Sequence, residues 1–319
     1  MKIVVLDGHA LNPGDLSWDC LYQFGQVTVY DRTPADQVVN RIGDADIILL
    51  NKVVINADIL DACPSIKLIC VLATGYNVVD CEAARQRWIP VCNVPAYGTD
   101  AVAQFTFALL LEICHHVGHH NQAVHAGRWA ESPNFCFWDT PQMELAGKTI
   151  GIIGFGRIGR AVGKIARAFG MRVLAYNRSR CAEGEAIGEY VALEALLQRS
   201  DVVSLHCPLT AENCHMINGD TIAMMKDGAI LLNTARGPLV EEQALCDALS
   251  SGKLRFAALD VAAVEPLPAD SLLLTAPNCI LTPHMAWAPV ESRQRILDCT
   301  VASIRAFGSG SPINAVNGF

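Results

Sequence analysis

Apolar residues in this chain gather into short unbroken runs, and segments of helical periodicity lie between them. Residues 3–6, 27–30, 47–50, 68–72 and 90–93 are apolar or β-branched without alternation, the pattern of strands in a parallel sheet covered on both faces. Thr33-Pro34-Ala35-Asp36 predicts a helix start, with Thr33 as N-cap, Pro34 at the first helical position and an acid in the first turn. Residues 99–127 predict one long helix capped by Thr99. Its apolar residues Val102, Phe105, Phe107, Ala108, Leu111 and Val117 lie almost all round, so it must be buried broadly, between domains or in a dimer. Residues 129–141 are aromatic and turn-rich, as expected of a loop at a domain junction. Strand-like runs resume at 150–153, 173–176, 201–206, 229–234 and 257–260, with helices over 241–250 and 289–307. No internal repeat or low-complexity segment is present. Such alternation predicts open α/β sheets that take ligands at the carboxyl ends of their strands.

One stretch is more specific. The run Ile150–Ile153 ends in Gly154-x-Gly156-x-x-Gly159. An apolar-periodic segment (Ile158, Val162, Ile165, Ala166, Phe169) follows, and then a second β-branched run. Strand, glycine turn, helix and strand within about thirty residues is the context that a dinucleotide fingerprint requires. Gly154 suits the tight turn, Gly156 the approach of a pyrophosphate, and Gly159 the packing of helix on strand. The helix start offers unpaired N–H groups and the positive end of a dipole to the phosphates. Asn177, eighteen positions after Gly159, stands where an acid would bind the 2′-hydroxyl of NAD, and Arg178 and Arg180 follow it. A carboxylate would repel a 2′-phosphate, whereas arginine pairs with one through its fork, so NADP is favoured and NAD stays possible.

Composition narrows the partners. At 319 residues the chain is long enough for two domains, each with a core. It is 51% hydrophobic without an apolar run of 18 residues, the pattern of a globular protein with no membrane partner. A net charge of −8 argues against a nucleic-acid surface. Met1-Lys2 leads straight into a strand-like run without a signal peptide. The thirteen cysteines are scattered without a C-x-x-C pair, and Cys70, Cys92, Cys114 and Cys279 lie in apolar runs as small buried hydrophobes. Together these features predict a cytoplasmic location. His115, His116, His119, His120 and His125 include pairs four apart that could hold a metal. No carboxylate or cysteine completes a site by spacing, so no metal is expected and these histidines are read as a solvated or interface face.

Charged residues follow three strand ends beyond the fingerprint: Arg236 in Asn233-Thr-Ala-Arg-Gly-Pro, Asp260 and Glu265 in Leu259-Asp-Val-Ala-Ala-Val-Glu-Pro, and His284 in Thr282-Pro-His-Met-Ala-Trp. Their types suit hydride transfer to a ketone. The carbonyl oxygen becomes an alkoxide and needs a proton, which a histidine of intrinsic pKa about 6.5 can give. A carboxylate beside that histidine stabilises the imidazolium, and an arginine polarises the carbonyl and grips a substrate carboxylate. In the first ninety-nine residues, the strand ends carry Asn51-Lys52 and Ala73-Thr74-Gly75. The Thr74-Gly75 turn is either a plain turn or a carboxylate cradle of backbone N–H groups.

These motifs resemble the D-isomer-specific 2-hydroxyacid dehydrogenases over nearly the whole chain. The matching segments are the Thr74-Gly75 turn, residues 93–104, the glycine fingerprint, His206-Cys-Pro-Leu-Thr, Asn233-Thr-Ala-Arg-Gly, Asp260 through Glu265-Pro266, and Thr282-Pro-His284. The resemblance implies an α/β protein: a Rossmann-type doubly wound domain over 100–287, and a smaller flavodoxin-like substrate domain from 1–99 and 288–319. It also implies a homodimer built around the nucleotide-binding domains. Carried over by position, Arg236 binds substrate, Glu265 partners the acid, and His284 donates and accepts the proton. Lys52, Thr74, Gly75 and Trp287 would contact a small 2-keto or 2-hydroxy acid. Gly154, Gly156, Arg157, Ile158, Gly159, Asn177, Arg178, Ser179, Arg180, His206, Pro208, Thr234, Ala235 and Asp260 would line the cofactor. The segment 284–287 is similar to glycerate dehydrogenases, also called hydroxypyruvate reductases, so reduction of hydroxypyruvate or glyoxylate is expected. A cofactor-sensing corepressor and a short phosphoglycerate dehydrogenase are the alternatives. Ala262-Ala263 departs from the Phe-Glu of many relatives, and Asn177 departs from Asp.

Overall fold

The computed structural model describes all 319 residues. Its contacts divide the chain into two compact units, Met1–Gly98 with Trp287–Phe319, and Thr99–Ala286.

The first unit is built on five parallel strands: β1 (Lys2–Val5), β2 (Gln26–Val29), β3 (Ile47–Leu50), β4 (Leu68–Val71) and β5 (Val91–Cys92). Their order is β2-β1-β3-β4-β5, the flavodoxin-like arrangement. Every residue of β3 and β4 is buried. Alternate side chains feed two clusters, Val4, Ile48, Leu50 and Ile69 on one face, and Ile3, Val5, Leu49 and Cys70 on the other. That two-sided burial explains the unbroken apolar runs of the inner strands, whereas the edge strand β2 alternates between exposed and half-buried residues; each fully buried Leu or Ile contributes about 1.5–3 kcal/mol. The helix Val290–Gly308 covers one face through Ile296, Leu297 and Ile304.

The second unit carries seven parallel strands: β6 (Thr149–Ile153), β7 (Arg172–Tyr176), β8 (Glu189–Tyr190), β9 (Val202–Leu205), β10 (Ala229–Asn233), β11 (Leu254–Leu259) and β12 (Cys279–Leu281). The order β12-β11-β10-β9-β6-β7-β8 is doubly wound, and its direction reverses between β6 and β9. Register aligns the strand ends in one row: Ile153 lies beside Tyr176 and Leu205, Leu205 beside Asn233, Asn233 beside Leu259, and Leu259 beside Leu281. Helices cover both faces. Arg157–Ala168 and Thr99–His115 pack on one side through Val162, Ala166, Phe107 and Leu110.

Three sequence expectations need correction. Residues 99–127 are two helices, Thr99–His115 and Val117–His125, bent by 57°. The chain turns at His116, whose φ of 47° is left-handed, and its N–H closes the first helix on the Glu112 carbonyl at 2.7 Å. Thr33 does not cap a helix: its hydroxyl donates to the Leu6 carbonyl, so Pro34 precedes a short 3₁₀ turn, Ala35–Gln37. Cys279 is half-buried, whereas Cys70, Cys92 and Cys114 are buried. No single helix is long and apolar enough to cross a membrane.

Candidate active site

The row of strand ends explains how residues far apart in sequence come to one edge of the second unit. Gly154, Asn177, His206, Thr234, Asp260 and Thr282 each stand one residue beyond that row. Several continue the ladder: Gly154 N–H donates to the Tyr176 carbonyl at 2.9 Å, His206 N–H to Ile153 at 2.7 Å, and Asp260 N–H to Asn233 at 2.9 Å.

The glycine turn is tightly packed at its first and third glycines and open at its second. Gly154 has φ +91°, and a Cβ there would lie 2.3 Å from the Cys207 nitrogen. A Cβ at Gly159 would lie 2.3 Å from the Gly154 carbonyl oxygen, whereas one at Gly156 would meet nothing within 4 Å. Turn and helix are thus locked together, while the middle glycine faces open space at the start of the twelve-residue helix Arg157–Ala168, which has no side-chain cap. Arg157 and Ile158 form its first turn, Ile158 packing on the core. At the end of β7 the Asn177 side-chain amide donates to the Ser179 carbonyl at 2.8 Å, closing a local turn that carries exposed Arg178 and Arg180. The Arg180 guanidinium lies 5.6 Å from the Tyr190 ring centre. These contacts fit a nicotinamide dinucleotide.

Beyond β9, His206 shares a 2.8 Å hydrogen bond with the Ser204 hydroxyl, and burial pushes its imidazole down to about 3, so it is neutral. Pro208 is exposed beside it, its carbonyl accepting from Asn213 at 2.8 Å. Thr234 shares a hydrogen bond of 3.2 Å with Thr106.

The charged residues occupy the adjoining loops. The Glu265 carboxylate meets His284 Nδ1 at 2.6 Å through Oε2, and accepts the Ala262 N–H at 3.2 Å through Oε1. That bond orients the ring. Both side chains keep about a third of their surface, 31% and 37% for His284 and Glu265, so reactants can approach. His284 has φ +53°, a left-handed conformation that a non-glycine residue holds only when its surroundings enforce it. Buried Asp260 does so: it accepts from the Thr282 hydroxyl at 2.6 Å and from the Met285 and Ala286 amides at 2.9 and 2.8 Å. Its carboxylate is thus engaged with the turn around His284. Arg236 is exposed at the end of β10, next to Ala235. Gly237 beside it is pressed against the 262–263 backbone, since a Cβ there would stand 1.9 Å from the Ala262 carbonyl carbon. The arginine loop and the glutamate loop are therefore in direct backbone contact.

In the first unit, Lys52 follows β3 and the exposed Thr74-Gly75 turn follows β4, on neighbouring strands. Thr74 donates its hydroxyl to the Val94 carbonyl at 2.8 Å, and the Trp287 ring meets Tyr97 edge-on at 6.4 Å. The histidines of the 115–120 region engage protein groups: His115 with Gln142 at 3.0 Å, His120 with the His116 carbonyl at 2.8 Å, and His119 with Asp139 at 2.6 Å. Asp139 also takes a two-pronged bond from Arg128, which with His119 holds its carboxyl far below the usual range. No three His, Cys, Asp or Glu side chains group as a metal site.

Two residues escape the sequence reading. Buried Asn233 brackets Arg236, accepting the Ala235 N–H at 3.0 Å and donating to the Arg236 carbonyl at 2.9 Å. Asp7 accepts the N–H groups of Asn51, Lys52 and Val53 at 2.7, 2.6 and 3.2 Å, which sets the Lys52 loop. The available signal was a short polar residue at each strand end, the type that bonds to nearby backbone.

Residues 107–286 match the family model of the D-isomer specific 2-hydroxyacid dehydrogenase, NAD binding domain. A hydroxypyruvate reductase of Blautia hydrogenotrophica is 55% identical over 99% of this chain and all of its own length. A glycerate dehydrogenase of Methylorubrum extorquens is 38% identical over 99% of this chain and 98% of its own. The solved apo-structure of D-lactate dehydrogenase from Escherichia coli superposes with a TM-score of 0.88 at 28% identity, covering 99% of this chain and all of that one. The chain belongs to the D-isomer-specific 2-hydroxyacid dehydrogenase family, oxidoreductases that work with a nicotinamide cofactor.

Proposed function

We propose that this protein reduces hydroxypyruvate or glyoxylate to the D-2-hydroxy acid, with NADPH preferred over NADH. The observation that carries the reading is the 2.6 Å Glu265–His284 pair, set on the loop edge that also presents Arg236 and the glycine turn. The name of the Blautia relative favours hydroxypyruvate.

The residues divide the work. Gly154, Gly156, Gly159, Arg157 and the amides of the following helix would hold the diphosphate, and Asn177, Arg178, Ser179 and Arg180 a 2′-phosphate. Ile158, His206, Pro208, Thr234, Ala235 and Asp260 would border the remainder. The bound nicotinamide supplies the hydride. Arg236 binds the substrate carboxylate and polarises the carbonyl. His284 holds the proton that the developing alkoxide takes through Nε2, and Glu265 keeps the ring oriented through Nδ1. Lys52, Thr74, Gly75 and Trp287 are assigned to the acid. Trp129, Phe135 and Trp138 are 53%, 89% and 63% exposed, an apolar surface that supports a homodimer. Thirteen unpaired cysteines suit a reducing cytoplasm.

The test is a panel of 2-keto acids with each reduced nicotinamide, repeated with His284→Ala. Hydroxypyruvate-dependent oxidation of NADPH that collapses in the variant while cofactor still binds supports the assignment. No turnover with any acid sinks it in favour of a cofactor sensor.

A further inference from the structure

We infer that Glu242 is a positioning residue for the reaction, acting through the loop that carries Glu265; the inference rests on the catalytic reading above. Residues 262 and 263 are both alanine; the Ala262 methyl packs on the core, but Ala263 is exposed and its side chain gives this loop no anchorage. Its two successive amides are held instead. The Ala262 N–H goes to Glu265 Oε1 at 3.2 Å, and the Ala263 N–H goes to Glu242 Oε1 at 2.8 Å. Gly237 presses on the same peptide, 1.9 Å from a would-be Cβ to the Ala262 carbonyl carbon and 2.4 Å to the Ala263 nitrogen. One peptide plane is thus clamped between the arginine loop and a carboxylate reaching over from the helix Glu242–Ser250. From that plane the chain runs directly to Glu265, and from Glu265 to His284 Nδ1 at 2.6 Å. Without Glu242 the Ala263 amide loses its acceptor, and the carboxylate facing His284 loses the fixed frame from which it works.

The simpler role for a first-turn acid is to complement the helix dipole through its charge. Glutamine separates the two, because it keeps an acceptor oxygen at the same reach and loses the charge. The experiment measures kcat, KM for hydroxypyruvate, NADPH affinity by fluorescence and Tm for E242A and E242Q, alone and in an E265Q background, with H284A as reference. We expect E242A to lower kcat about tenfold, with KM and NADPH affinity within about twofold, and E242Q to recover most of that loss. In the E265Q background, E242A should cost little more, since both act through one pair. Wild-type kcat in E242A, equal losses in E242A and E242Q, or full additivity with E265Q would each overturn the inference and leave the catalytic reading intact. Wild-type turnover in both H284A and E265Q would overturn the catalytic reading itself, and this inference with it.

Discussion

Gly237→Ala tests whether the loops of Arg236 and Glu265 act as one body. The added Cβ would stand 1.9 Å from the Ala262 carbonyl carbon, 2.0 Å from its oxygen and 2.4 Å from the Ala263 nitrogen. All three are backbone atoms, so no rotamer change relieves the clash. Reaching the ordinary contact distance of 3.4 Å means opening the two segments by about 1.5 Å (3.4 less 1.9). Overpacking of this kind costs about 1–3 kcal/mol of stability, and a 1 Å misplacement of catalytic groups costs about 100-fold in rate. We therefore expect a folded protein of lower Tm whose kcat/KM for hydroxypyruvate falls by about two orders of magnitude. NADPH affinity, read by fluorescence titration, should fall less than kcat/KM, because the glycine turn follows a different strand and, of the residues assigned to the cofactor, only Thr234, Ala235 and Asp260 adjoin the opened contact. Gly156→Ala is the matched control: nothing lies within 4 Å of its Cβ, so Tm should hold while the KM for NADPH rises. A Gly237→Ala enzyme with wild-type kcat/KM would refute the idea that the loop contact sets the site.

Other expectations follow from single contacts. Asn177→Asp with Arg178→Ala should shift the kcat/KM ratio toward NADH by at least about tenfold, since a carboxylate repels the 2′-phosphate that a guanidinium attracts; the ratio of the two cofactors' kcat/KM reads it. His206 is held neutral at about 3, below its unfolded value of about 6.5, so the unfolded chain binds the proton first as pH falls and stability is lost between those values, about 2 kcal/mol by pH 5. Urea unfolding at pH 8 and pH 5 should show that loss, and His206→Gln should remove most of it. Asp7→Asn leaves one acceptor oxygen where three backbone N–H groups converge, so the KM for the keto acid should rise several-fold with kcat little changed; equal falls in kcat and kcat/KM, with KM unchanged, would assign Asp7 another role.

What could be foreseen from the chain was set by burial, and what could not was set by turns. A strand such as Ile47–Leu50, covered on both faces, must be apolar throughout, so it announces itself. The two-residue edge strand Glu189–Tyr190 has no such need and leaves no pattern. The break at His116 was hidden because a single left-handed residue interrupts two helices whose periodicities run on. Thr33 has the composition of a cap, but a carbonyl from β1's end competes for its hydroxyl. The same division runs through the site. Arg236, Glu265 and His284 stand out by charge, yet they come to one edge only because the register sets Asn233, Leu259 and Leu281 in a row, so that each chain leaves the sheet at the same level. From that row His284 is three residues on and Glu265 six, and only hydrogen bonds in the turns bring the two side chains to 2.6 Å. Those bonds belong to Asp260 beneath His284 and to Glu242 and Gly237 around residues 262 and 263, groups whose partners are non-local and invisible to spacing. It follows that substitutions which spare the charged residues but disturb these turns should damage kcat more than binding, because the sheet delivers the residues to the site and the turns alone aim them.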